Sequence, residues 1–206
     1  MRKMKRMLVI SMLVLCAGIL TAQEKATEGP PRPLNEWTFF QLGFFPEIPG
    51  NTMYSNVYGM KLGAPMVCGY GRVYGVEPSF LYSGTDYVKG IQAAWVGFSD
   101  AKEVYGLQAS MGVCMTDKVW GIQTGAVCIA KKTAGIQFSG VGVTETSSGI
   151  QAGIVNVSNY VKGLQLGAFN WSKEGAFQIG AVNMIEDSWL PFMIIFNVSF
   201  KEKERK

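Results

Sequence analysis

The sequence contains no histidine. That removes the side chain that most often serves as general base, proton shuttle or metal ligand near neutral pH. Charge is scarce as well. Only 17% of the 206 residues are Asp, Glu, Lys or Arg, whereas aromatics reach 12%, and the mean hydropathy is positive. A chain with so little polar surface either buries most of itself or turns part of itself toward lipid. Cysteine is sparse and odd in number: with residues 1–22 set aside, Cys68, Cys114 and Cys128 remain. They show neither the short spacings of a zinc site nor the even count of a disulfide framework. They read as small apolar residues in strands, with one disulfide and a spare thiol as the alternative. Beyond the amino terminus no run reaches ~18 uninterrupted apolar residues, so a helical membrane protein is not expected.

These absences bear on chemistry. Asp86, Asp100, Glu103, Asp117, Glu145, Glu174, Glu186 and Asp187 fall singly or in pairs in or beside turn segments, which is solvated loop charge. Glu77 alone falls at a strand position, where Lys61 offers itself as an ion-pair partner. The 25 glycines are not followed by the Gly-Lys-Ser/Thr of a phosphate loop. We therefore expect no catalytic residues, no metal site, no cofactor and no enzymatic activity. The net charge of +4 is concentrated in Arg2, Lys3, Lys5 and Arg6 and in the tail from Lys201 to Lys206, without interleaved aromatics. No nucleic-acid partner is expected.

The chain divides into four parts. Residues 1–22 begin with a basic start, continue as an apolar run from Met7 to Leu20 and end on a small residue, Ala22, the pattern of a secretory signal peptide. An uncleaved anchor and a lipid anchor at Cys16 are the alternatives. Residues 23–36, with Pro30, Pro31 and Pro33, read as a disordered lead-in. Residues 37–200 are a repetitive β domain, and 201–206 form a basic tail. The non-repeating connection from Pro46 to Ser55 is the first place to look for a variable binding loop.

What fills the body is a repeat. Gly149-Ile150-Gln151-Ala152-Gly153-Ile154-Val155-Asn156 recurs as Gly163-Leu164-Gln165-Leu166-Gly167-Ala168-Phe169-Asn170 and as Ala176-Phe177-Gln178-Ile179-Gly180-Ala181-Val182-Asn183. Upstream, the unit is marked by Gly59, Gly75, Gly90, Gly106, Gly121 and Gly135, and the spacings run from 13 to 16 residues. Two residues after each marker stand Lys61, Glu77, Gln92, Gln108, Gln123, Gln137, Gln151, Gln165 and Gln178, and four residues after it the side chain is always small. Polar runs such as Thr116-Asp117-Lys118 lie between units and carry turn chemistry. Alternation then gives one face of Ile91, Ala93 and Trp95 or Ile150, Ala152 and Ile154, almost wholly apolar, and an opposite face that begins with glutamine.

The fold class is all-β, and the closure has to be argued. A ten-residue strand spans ~33 Å, and four or five turn residues cannot return the chain to start a parallel neighbour, which normally needs about a dozen. An antiparallel meander uses strand and short turn directly. The expectation is therefore a shallow antiparallel β-barrel of about 10–12 strands. A parallel β-solenoid is the alternative, and it requires each coil to fold at the small residue in position four. The final segment, Trp189 to Phe200, is the most hydrophobic strand after the leader, and a terminal strand ending in phenylalanine resembles the closing strand of outer-membrane barrels.

The G-[IL]-Q-x-G-x-x-N repeat, the opening Phe40-Gln41-Leu42-Gly43-Phe44-Phe45-Pro46, the Val57-Tyr58-Gly59 and Val73-Tyr74-Gly75 entries and the closing Leu190-Pro191-Phe192 to Asn197-Val198-Ser199-Phe200 resemble the bacterial surface-repeat protein family. The chain is also similar to the shallow symmetric barrels called β-flowers. The first resemblance covers Trp37 to Phe200, and Lys61 and Glu77 depart from its glutamine. It implies a cell-envelope protein of unassigned function, with no catalytic residues to carry over. Together these features lead us to expect an exported, non-enzymatic envelope protein, outer-membrane or surface associated, whose partners are the outer membrane or other envelope components. The alternative is a periplasmic or surface-tethered module for a polar neutral ligand such as a carbohydrate. Its candidate ligand-binding residues are Gln92, Gln108, Gln123, Gln137, Gln151, Gln165 and Gln178. Tyr58, Tyr74, Tyr105, Trp120 and Tyr160, at similar depth, read as an interfacial girdle, sugar-stacking platforms or plain strand formers.

Overall fold

Each repeat opens on a glycine because the chain turns there in a way other residues resist. From Gly59 to Gly163 these glycines have φ between +128° and +149°, a region essentially closed to side chains bearing a Cβ. Space forbids a side chain too: a Cβ on Gly75 would lie 2.0 Å from the carbonyl oxygen of Gly59. In the last unit Ala176 stands at the marker position, and the positive φ moves one residue earlier, to Gly175 at +57°.

The computed structural model describes residues 37–45, 48 and 52–199. The segments read as signal peptide, lead-in and basic tail lie outside the described residues, as do Phe200 and much of the Pro46 to Ser55 connection. The strands are β1 (Trp37–Gly43), β2 (Asn56–Gly63), β3 (Met66–Ser79), β4 (Tyr82–Ala94), β5 (Phe98–Leu166), β6 (Phe169–Glu174), β7 (Ala176–Ile185) and β8 (Phe192–Ser199). There is no helix among the described residues.

Pairing is parallel from β1 to β7, each repeat lying on the next in register: Gly59 on Gly75, Gly75 on Gly90, Gly90 on Gly106, and Gln165 on Gln178. Inside the long β5 the same stacking continues, since a Cβ on Gly121, Gly135, Gly149 or Gly163 would meet the carbonyl oxygen of the preceding marker glycine at 2.0–2.1 Å. The protein is thus a parallel β-solenoid of about nine turns. The expected antiparallel barrel of 10–12 strands is wrong, and the stated alternative is right. The barrel rested on treating some ten residues as one straight strand. Instead the chain folds back after the small residue of position four, so 13 to 16 residues close a full coil and no long return is needed. The hydroxyl of Ser158, seven residues after Gln151, donates back to its Oε1 at 2.8 Å, a contact a straight strand could not make. Only β8 breaks the pattern among the described strands: it pairs antiparallel with β7, whose Ala181 and Val182 together oppose Ile194, and beside this shift Ile195 has φ 75°. A reversed strand is a poor template for another parallel coil, so β8 caps the described stack.

The core is a narrow column inside the coils. Its apolar part is a file of valines two residues before each corner, Val57, Val73, Val88 and Val104, each at most 1% exposed. The rest of the interior is polar.

Candidate functional site

The seven glutamines expected to bind ligand face inward and are completely buried. Their neighbours explain why burial is tolerable. From Gln108 on, each side-chain amide donates from Nε2 to the Oε1 of the glutamine one coil earlier: Gln108 to Gln92 at 3.2 Å, Gln123 to Gln108 at 2.9 Å, Gln137 to Gln123, Gln151 to Gln137, Gln165 to Gln151 and Gln178 to Gln165, the last four at 2.8 Å. Hydroxyls from the opposite wall of the coil fill the second acceptor lone pair, from Ser99, Thr116, Thr144 and Ser158. Buried amides satisfied in this way add to stability. The residues expected to bind ligand, Gln92, Gln108, Gln123, Gln137, Gln151, Gln165 and Gln178, thus lie inside the coils with their amides engaged by protein groups. They line neither a pore nor a cup, and their polar groups hold the coils to one another.

The ladder has a direction, and its ends are informative. The N–H groups point toward the amino-terminal coils, and the file ends on Glu77, whose Oε1 accepts from Gln92 at 3.3 Å and from Ser83 at 2.7 Å. A carboxylate suits the electropositive end of aligned amides. A second file runs the other way: Asn156 donates to Asn170 at 2.8 Å and Asn170 to Asn183 at 2.9 Å. Lys61, one coil before Glu77, is fully buried and donates to the Cys68 carbonyl and the Thr85 hydroxyl, both at 2.9 Å. The ion pair expected between Lys61 and Glu77 is not among those formed by the described residues. Burial pulls the Lys61 ammonium below its ordinary pKa, and Glu77 opposes that pull. Neither group reaches solvent, so the pair offers no reaction centre. Cys114 and Cys128 are free and buried, and no cluster of three His, Cys, Asp or Glu lies together among the described residues.

Function has to be sought outside. The flattened coil presents two unlike faces. On one, the outward positions one, three and five residues after the corner stack into three files, from Met60, Leu62 and Ala64 to Phe177, Ile179 and Ala181. No charged residue occupies any of them, and Thr124 is the one polar side chain. Large members stand in solvent: Trp95 is 68% exposed, Met111 69% and Ile154 66%. Nine coils at ~4.8 Å and four residue steps at ~3.3 Å give a planar footprint of about 570 Å², near the upper end of what soluble monomers expose. The opposite face carries the charge, where successive coils pair Asp86 with Lys102 at 2.8 Å, Glu103 with Lys118 at 2.7 Å and Asp117 with Lys131 at 2.6 Å.

Between the faces, along the glycine corner, runs a row one residue before each marker: Tyr58, Tyr74, Lys89, Tyr105, Trp120 and, further on, Lys162. Trp37 stacks on Tyr58 at 4.2 Å, Tyr58 on Tyr74 at 5.0 Å, and Tyr105 on Trp120 at 4.4 Å with an interplanar angle of 4°. The row is interrupted at Lys89. There a groove of about 340 Å³ opens, lined by Arg72, Tyr74, Tyr87, Lys89, Glu103 and Tyr105 over a floor of Val73 and Val88. Alternation alone singled out the aromatics but missed Arg72 and Tyr87. They stand two residues before Tyr74 and Lys89, a relation that acquires meaning only once the coils are stacked.

The chain matches no family model, no curated protein and no solved structure.

Proposed function

We propose that the protein is an exported, non-enzymatic component of the cell envelope that lies flat on a lipid surface through the uncharged face of its solenoid. The carrying observation is that face: three files of outward positions run the length of the stack without a charge, and their bulky members are exposed. One feature favours lipid over a second copy of the chain. The rim is built of tyrosine, tryptophan and lysine, side chains with an apolar body and a polar tip that settle where hydrocarbon meets headgroups. The amino-terminal signal pattern and the resemblance to surface-repeat proteins point to the outer membrane or cell surface, and the role there is structural or that of a docking platform. The alternative of a soluble module lined by glutamine amides loses its lining, because those amides are buried and paired.

Flotation with lipid vesicles tests this reading. The protein is expected to float with vesicles, and the double substitution Ile122→Lys with Ile150→Lys is expected to leave it in the aqueous fraction. Both positions are exposed, so the β-rich circular dichroism spectrum should not change. Recovery of the unaltered protein in the aqueous fraction would refute lipid docking.

A further inference from the structure

At Lys89 the aromatic row is interrupted, with Tyr74 one coil before it and Tyr105 one coil after it. The far faces of Tyr74 and Tyr105 are covered by Tyr58 and Trp120. Their near faces are two strand spacings apart, ~9.6 Å, because Tyr74 pairs with Lys89 and Lys89 with Tyr105 in consecutive coils. A flat aromatic guest in contact with both rings needs only ~7 Å, two carbon contacts of ~3.5 Å. The gap is too wide for that, and it matches a puckered, saturated ring that presents C–H groups to both sides. Only the flexible stem of Lys89 stands between the two tyrosines in register, and it can swing aside while keeping its ammonium over the groove.

Charge sets the second requirement. Glu103 is occupied by Lys118, and Asp86 by Lys102. Arg72 and Lys89 take part in none of the ion pairs among the described residues; the Arg72 guanidinium instead lies 5.8 Å above the Tyr87 ring. The groove therefore offers two cations without acidic partners among the described residues, beside two tyrosines two coils apart. A guanidinium presents its edge as a planar fork of donors to a carboxylate or phosphate.

We infer that this groove binds an anionic pyranose, a uronate or a phosphorylated hexose, with the sugar ring between Tyr74 and Tyr105 and its acidic group held by Arg72 and Lys89. The site goes beyond lipid docking and does not depend on it. It stands one residue from the uncharged face, so the same chemistry can arrive as a soluble polysaccharide unit or as the phosphorylated sugar headgroup of a lipid.

Calorimetric titration separates these possibilities. The probes are trigalacturonate, the uncharged galactose trisaccharide and glucosamine 1-phosphate, followed by vesicles with and without a phosphorylated diglucosamine lipid. The anionic probes are expected to bind at least tenfold more tightly than the neutral trisaccharide, with tenfold or greater loss in Lys89→Ala and in Tyr105→Ala. Both residues are exposed, and an unchanged melting temperature confirms that the fold survives. Preference for the soluble uronate assigns a polysaccharide; preference for the phosphosugar vesicles, lost in Lys89→Ala, assigns a headgroup. The double variant Ile122→Lys with Ile150→Lys should retain binding of the soluble probes, which keeps failure of the groove distinct from failure of lipid docking. Equal affinity for charged and neutral probes, no binding by any probe, or indifference to both alanine substitutions would overturn the inference.

Discussion

At the scale of single residues, the interior has been made polar without being made costly. Gln137 shows how. Its amide donates to Gln123 and to the Cys128 carbonyl and accepts from Gln151 and from Thr144. Replacing it with leucine removes these four bonds and strands buried groups, each worth ~1–3 kcal/mol when left unpaired. Gln137→Leu is therefore expected to lower stability by about 3 kcal/mol or more in urea denaturation. Ile136→Gln, one residue away on the exposed face, should change it by less than about 0.5 kcal/mol. Asp100 supplies a pH test. Burial, then the negative neighbours Asp86 and Asp117, raise its pKa from 3.8 to about 6. A carboxyl with a raised folded-state pKa holds its proton longer in the fold than in the unfolded chain, so this group's contribution favours folding at low pH and weakens as pH rises from about 4 to about 6. The difference amounts to about 2–3 kcal/mol. Asp100→Asn should raise stability at pH 7 and flatten this part of the curve of stability against pH; an unaltered curve would count against the raised pKa of Asp100.

At the scale of the element, the unit is one coil, and its two turns are set differently. The glycine corner is set by backbone geometry. Gly121 has φ +138°, and a Cβ there would lie 2.1 Å from the Gly106 carbonyl oxygen. Gly121→Ala is expected to cost ~3 kcal/mol or more, through strain and through displacement of the coil below it, as a drop in melting temperature would register. The second turn follows a merely small residue, and that is why it was hard to read. The period, the inward glutamine file, the outward apolar files and the polar intervals were all legible, because each follows from which residue types recur at which offset. Closure was not. A period of 13 to 16 residues suits both a strand with a hairpin turn and a coil folded on itself, and neither Ser79, Ala94 nor Gly153 announces a bend. Burial was illegible for a related reason: Gln151 reads as a polar surface residue until the next coil's Gln165 is laid on it and donates at 2.8 Å. The aromatics were visible as residues, but the groove at Lys89 was not, since Tyr74 and Tyr105 are 31 positions apart in sequence and meet across it only through parallel stacking.

At the scale of the whole molecule, stacking turns a local alternation into a global asymmetry. Each coil keeps the outward positions one, three and five residues after its corner free of charge, and its ion-paired side chains stand on the opposite wall. Because the coils stack in register, about nine repeats add these up into one charged face and one uncharged face. Such a body has a preferred way to lie at an interface, and two tryptophans report it. Trp95 stands on the uncharged face and is largely exposed. Trp171, between the inward Asn170 and Ser172, points out from the opposite wall. The most direct measurement is fluorescence quenching by lipids carrying a quencher on the acyl chain, in vesicle-bound variants that retain only one of these tryptophans. Strong quenching of Trp95 with little or none of Trp171 is the predicted result; equal quenching of the two, or stronger quenching of Trp171, would contradict docking through the uncharged face.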